Sequence, residues 1–112
     1  MHTNIKNLPE GTYWTSYGYS DSKVWREVKR TSKTVTLEPV RVKPDPEWKN
    51  KMQADIGGFC AHVSNQEEQT WLFDLILDDF QTVIRETKRG WRSKNGDEFL
   101  TDRAHYFHDY NF

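Results

Sequence analysis

The stretch Val24-Trp25-Arg26-Glu27-Val28-Lys29-Arg30-Thr31-Ser32-Lys33-Thr34-Val35-Thr36-Leu37-Glu38-Pro39-Val40-Arg41-Val42-Lys43 decides the fold. The second of its runs is rich in β-branched residues, the first, Val24 to Arg30, alternates imperfectly, and the short polar connection Thr31-Ser32-Lys33 separates them. That pattern reads as a β-hairpin. Val35 and Leu37 alternate with polar neighbours, as a half-buried strand requires. Val40 and Val42 continue the alternation in the opposite phase. Pro39 lies at the phase change and has no N–H to give to a ladder, so a bulge or bend is expected there. Pro44-Asp45-Pro46 ends the unit.

Working outward, Thr12 to Tyr19 is dense in β-formers and predicts a strand, with Gly18 marking a bulge or close contact. Trp71 to Phe80 is ambiguous. Apolar residues at 72, 73, 76, 77 and 80 fit a helix, while the short length and β-rich surroundings favour a strand over 71–77. A strand follows over Phe80 to Thr87. Asn95-Gly96, between Trp91-Arg92-Ser93 and Glu98-Phe99-Leu100, is a strong hairpin signal. Tyr106, His108, Tyr110 and Phe112 alternate and predict a terminal strand over 105–112. The expected fold is mainly β, with a β-rich α+β arrangement as the alternative. It is a small antiparallel sheet or barrel of about seven strands. Residues 1–112 read as a single domain, with 1–11 as a loose N-terminal segment.

Composition sets bounds. The chain has 112 residues, 35% hydrophobic and 14% aromatic, so its core leans on rings. Net charge is −1, which favours neither nucleic acid nor acidic partners in bulk. The distribution is uneven: nine Lys/Arg fall between Lys23 and Lys51, and seven acids against Arg85 alone between Asp55 and Glu86. One positive and one negative surface are expected. A single cysteine excludes an internal disulfide. No apolar run is long enough to cross a bilayer, and a cytoplasmic location is expected.

The most unusual stretch is Gly57-Gly58-Phe59-Cys60-Ala61-His62-Val63-Ser64-Asn65-Gln66-Glu67-Glu68-Gln69-Thr70-Trp71. Ser64 and Glu67 have capping-box spacing, so a short helical turn is expected near 65–69. Carboxamides are costly to bury unpaired, so His62, Asn65, Gln66 and Gln69 either brace the loop or meet a polar partner. Cys60-x-His62 and His105-x-x-His108 hold possible zinc ligands, but neither has a standard spacing, and no metal or cofactor is expected. Cys60 and His62 lack an identifiable orienting acid, so no catalytic residue is assigned. Two turns carry the basic residues: Lys29, Arg30 and Lys33 at one, and Lys88, Arg89, Arg92 and Lys94 at the other. Trp25 and Trp91 flank them, and cations beside rings suit phosphates and bases.

Three blocks carry a resemblance. They are Tyr17-Gly18-Tyr19-Ser20-Asp21 running on to Lys29 to Leu37; Gly57-Gly58-Phe59, His62 and Asn65 to Trp71; and His105, Phe107 and Asp109 to Phe112. In these the chain resembles a family of small, largely uncharacterised proteins encoded by phages and mobile elements. The resemblance implies a phage-borne accessory protein, expressed in the host cytoplasm, that inhibits a host defence system by binding without catalysis, in the manner of anti-CRISPR proteins. Its partner would be a host defence protein or that protein's nucleic acid.

Two other readings stand beside it. One is a nucleotide or single-stranded nucleic-acid binding module using Lys29, Arg30, Lys33, Arg89, Trp91 and Arg92. The other is a small enzyme centred on His62. An open edge at residues 105–112 would pair two copies into a homodimer.

Overall fold

The computed structural model describes residues 2–18, 21–49, 52–54, 61–63, 66–77 and 80–108, with the backbone alone for 52–54 and 61–63. The strands are β1 (His2–Thr3), β2 (Ile5–Lys6), β3 (Tyr13–Tyr17), β4 (Ser22–Arg30), β5 (Thr34–Pro44), β6 (Met52–Ala54), β7 (Ala61–Val63), β8 (Trp71–Ile76), β9 (Thr82–Thr87), β10 (Gly90–Ser93), β11 (Glu98–Thr101) and β12 (Arg103–Ala104). A 3-10 turn covers Gln66–Glu68.

The expected hairpin is β4–β5, and β5 is the hub of the fold. One edge of β5 pairs with β4. The other edge is shared: Thr34 to Leu37 pair with β9, and Val40 to Pro44 pair with β8. Around the first half, the antiparallel circuit β5–β4–β3–β11–β10–β9 returns to β5 and closes a six-stranded barrel. The phase change at Pro39 is therefore the fork where the strand leaves one partner for another. Leu77 N–H donates to the Pro39 carbonyl at 2.9 Å, at the fork itself.

Alternation sorts the side chains into two cores. Trp14, Val35, Leu37, Ile84 and Phe99 fill the barrel, with Trp25 and Trp91 packed against them. Inward positions of a small closed barrel are filled by side chains, and here rings do most of that. Trp14 and Trp91 meet edge to face at 5.4 Å, and Trp25 meets Phe99 at 5.8 Å. The opposite faces of β3, β4 and β5 carry Tyr13, Val24 and Val40, which join Ile5, Trp71 and Ala104 in a second core. The outer wall is thereby covered on the β8 side.

The fold is mainly β, as expected, and residues 71–76 form a strand. It has more, shorter strands than the expected seven. The N-terminal segment, expected to be loose, is tied down instead. β1 runs parallel to β12, β2 runs parallel to β8, and Ile5 is buried. Lys6 Nζ sits 2.7 Å from Asp45 Oδ2, and Asp45 also accepts from Thr70 Oγ1 at 2.7 Å. At the other terminus, the described residues of the expected strand make one bridge, Ser22 with Phe107. Tyr106 is held by Asn4, which accepts from its N–H at 3.0 Å, and its ring packs on Trp71 at 4.5 Å. Residues 105–107 are thus spent on their own subunit, and His108 Nδ1 stands 4.0 Å from Asp21; 109–112, the rest of the expected dimer edge, lie outside the described residues.

Candidate functional site

The register of β5 against β9 brings the two basic turns together. Thr34 lies opposite Arg85 and Leu37 opposite Thr82, so the connection Thr31–Lys33 sits beside Lys88 and Arg89. On β9, Ile84 points into the barrel, which turns Val83, Arg85 and Thr87 outward. On β10, Trp91 packs inward and Arg92 therefore turns out. Arg85 and Arg92 are direct cross-strand partners. Like charges so placed are destabilising.

Compensation falls on one side: Glu98 on β11 is the direct cross-strand partner of Arg92 and pairs with it at 3.8 Å. Arg85 is exposed, and no acid among the described residues comes within ion-pair distance of it. Arg92 donates from Nη1 to the Gly96 carbonyl at 3.0 Å. Its Nη2 stands 3.8 Å from Glu98, too far for a hydrogen bond, and its Nε is buried without an acceptor. Two grooves meet here. One is lined by Lys33, Arg85 and Lys88, with Glu86 as its acid; the other by Val83, Arg85, Arg92 and Lys94. Both share Arg85 and Thr87. Lys29, opposite Thr36 on the same outer face, and Arg89 are exposed beside them. Thr87 fixes the turn: its hydroxyl donates to the Gly90 carbonyl at 2.7 Å and accepts from Arg89 N–H at 3.1 Å.

Arg30 and Trp91 are brought together, but not on this wall. The register between β4 and β5 slips between Glu27 and Lys29, so Val28 is an extra residue. The bulge turns Lys29 outward and Arg30 inward over the barrel mouth. Arg30 Nη2 lies 2.7 Å from Glu27 Oε1, and its guanidinium stands 5.9 Å from the Trp14 ring and 5.8 Å from the Trp91 ring. Trp14 Nε1 donates to the same Glu27 oxygen at 3.1 Å. Arg30 is a plug, and Trp91 is part of what it plugs.

The glutamine-rich loop divides. His62 lies on β7, which pairs with β6 as Gln53 opposite His62. The His62 side chain, Cys60 and Asn65 lie outside the described residues. Gln66 begins the 3-10 turn and is half-buried. Gln69 is 3% exposed, and its Oε1 has no hydrogen-bond donor, so it faces the interior rather than a partner. Arg85 is the site residue that the basic turns alone do not reveal, because it sits in an acidic stretch of sequence. The alternation Thr82, Ile84, Glu86 against Val83, Arg85, Thr87 is the signal that points to it.

A second cleft lies against Tyr17, Asp21, Glu67, His105 and Phe107. Burial pushes the His105 imidazole below its ordinary value, helped by His2, stacked on it at 6.0 Å, and Arg103. Among the described residues no three metal-ligating side chains come together. No helix among them is long and apolar enough to cross a membrane. No family model, no curated protein and no solved structure matches the chain.

Proposed function

We propose that this chain is a binding protein that holds the phosphate backbone of nucleic acid on the outer wall of β9 and β10. The observation that carries the reading is the Arg85–Arg92 cross-strand pair, set between Lys33, Lys88 and Lys94, where Glu98 offsets Arg92 and Arg85 has no ion-pair partner among the described residues. The fold bears the cost of that repulsion in the absence of an anion, and a bound phosphate turns it into attraction. Such contacts fix a nucleic acid in place without reading its sequence. The rest of the chain offsets the charge, which is why the net balance of −1 conceals the wall.

The sequence resemblance supplies a setting. The ligand would be the nucleic acid of a host defence complex, and a phage accessory protein occupying it would be anti-CRISPR-like in effect. Titration of a labelled oligonucleotide at low salt, followed by anisotropy, tests the binding step. The wild type binds, and Arg85→Ala with Arg92→Ala weakens binding at least about tenfold, since charge-assisted contacts contribute roughly 1.5–3 kcal/mol each. Equal binding by the double variant, or none by the wild type, refutes the reading. Phage plating on a defence-positive host tests the setting; rescue by the wild type but not by the double variant supports it.

A further inference from the structure

The fork in β5 opens a second feature at the other end of the barrel. Where β5 leaves β9 for β8, a cleft of about 550 Å³ remains, with Trp25, Pro39, Phe80 and Tyr106 in its lining. Lys23 and Arg41 are its cations. Phe80 is 60% exposed, an unusual position for a phenyl ring, and leans on Trp25 at 6.4 Å with a 43° tilt. The Trp25 indole N–H is committed inward to Ser16 Oγ at 2.9 Å, which fixes that ring. Arg41 is mostly exposed, and its Nε stands 3.9 Å from Asp74, beyond hydrogen-bond reach.

We infer that this cleft takes an unstacked nucleobase of a single strand whose backbone lies on the β9–β10 wall. The inference rests on the backbone reading given above and adds the ligand class, single strand rather than duplex. The wall and the cleft are joined by the chain from Phe80 into β9. Arg85 is five residues from Phe80 along the chain, roughly 16 Å for extended backbone, so a few nucleotides bridge them. Val83, 45% exposed, falls between Phe80 and Arg85 in sequence and lines the groove that holds Arg85. A base in a duplex has both faces stacked and cannot lie on Phe80, whereas a single strand offers a free π-face. Lys23 and Arg41, which line the cleft, supply cations for the phosphate of that nucleotide.

The test compares three probes on the full chain: a single-stranded oligonucleotide, the matching duplex, and inorganic polyphosphate of similar charge. Phe80→Leu keeps apolar bulk without a ring, and Phe80→Tyr keeps the ring. Because Phe80 is exposed, both variants should fold, which thermal melts check. The expected result is single-strand binding weakened about tenfold in Phe80→Leu and kept in Phe80→Tyr, with polyphosphate binding unchanged in both. Equal affinity of Phe80→Leu and wild type for the single strand overturns the base site and leaves the backbone reading standing. So does a wild type that prefers the duplex. Failure of the wild type to bind any of the three overturns both.

Discussion

Replacing Arg30 by alanine separates structure from binding at the basic end of the barrel. The guanidinium makes an ion pair with Glu27 at 2.7 Å and stands over two indole rings at 5.9 and 5.8 Å. The Arg30 side chain is 49% exposed, so the ion pair is screened and contributes about 0.5 kcal/mol. Each ring contact adds about 0.5–1 kcal/mol. The expected loss is therefore about 2 kcal/mol, or roughly 8 °C in Tm for a chain of this size. Urea and thermal melts followed by tryptophan fluorescence read it directly, because Trp14 and Trp91 line the mouth that opens. Oligonucleotide affinity, measured well below Tm, should stay within about twofold, since Arg30 touches no phosphate in this account. A stability loss under about 0.5 kcal/mol refutes the plug. A salt dependence of binding shallower by about 0.7 in log–log slope puts Arg30 on the ligand instead.

Other outcomes follow from the same geometry. Asp45 is held down at about 2 by Lys6, Thr70 and the Glu47 N–H, against 3.8 in the unfolded chain. Its stabilising effect is present above about pH 4 and is lost as pH falls through about 2, so urea midpoints should drop there less steeply in Asp45→Asn; identical acid profiles would contradict this. Gly90 has φ +95 and open space around its Cα, so Gly90→Ala should cost about 1–2 kcal/mol through backbone strain alone in a urea titration, and a neutral result would deny that conformation. Ile5 is 5% exposed on β2, beside β8, so Ile5→Ala should cost about 2–4 kcal/mol; a loss below about 1 kcal/mol by the same titration would mean the N-terminal strap is not part of the core.

How much of this was readable from the sequence depends on how local each signal is. The β4–β5 hairpin was plain, because alternation and turn chemistry are both short-range. The phase change at Pro39 was visible too, but its meaning was not: a proline in a strand marks a disturbance without naming the new partner. β1 and β2 are two residues each and pair in parallel with strands far along the chain, so they leave no periodic trace. Arg30 and Trp91 read as ligand-binding residues because both lie near basic turns. A one-residue bulge at Val28 reverses the facing of Arg30, and inward parity on β10 takes Trp91 into the barrel. Gln69 shows the limit of composition: a carboxamide in a polar loop is ordinarily wet, yet this one is buried. Arg85 could have been found by carrying alternation through β9, since Ile84 must face the core.

The salt dependence of oligonucleotide binding tests the account at its centre. If Lys33, Arg85, Lys88, Arg92 and Lys94 each neutralise a phosphate of a single strand, the log–log slope is about −3.5, and affinity falls about a hundredfold between about 50 and 200 mM salt. In Arg85→Ala with Arg92→Ala the slope should relax to about −2. A flat slope in the wild type, or a steep one that survives the double substitution, would show that the basic wall is merely solvated.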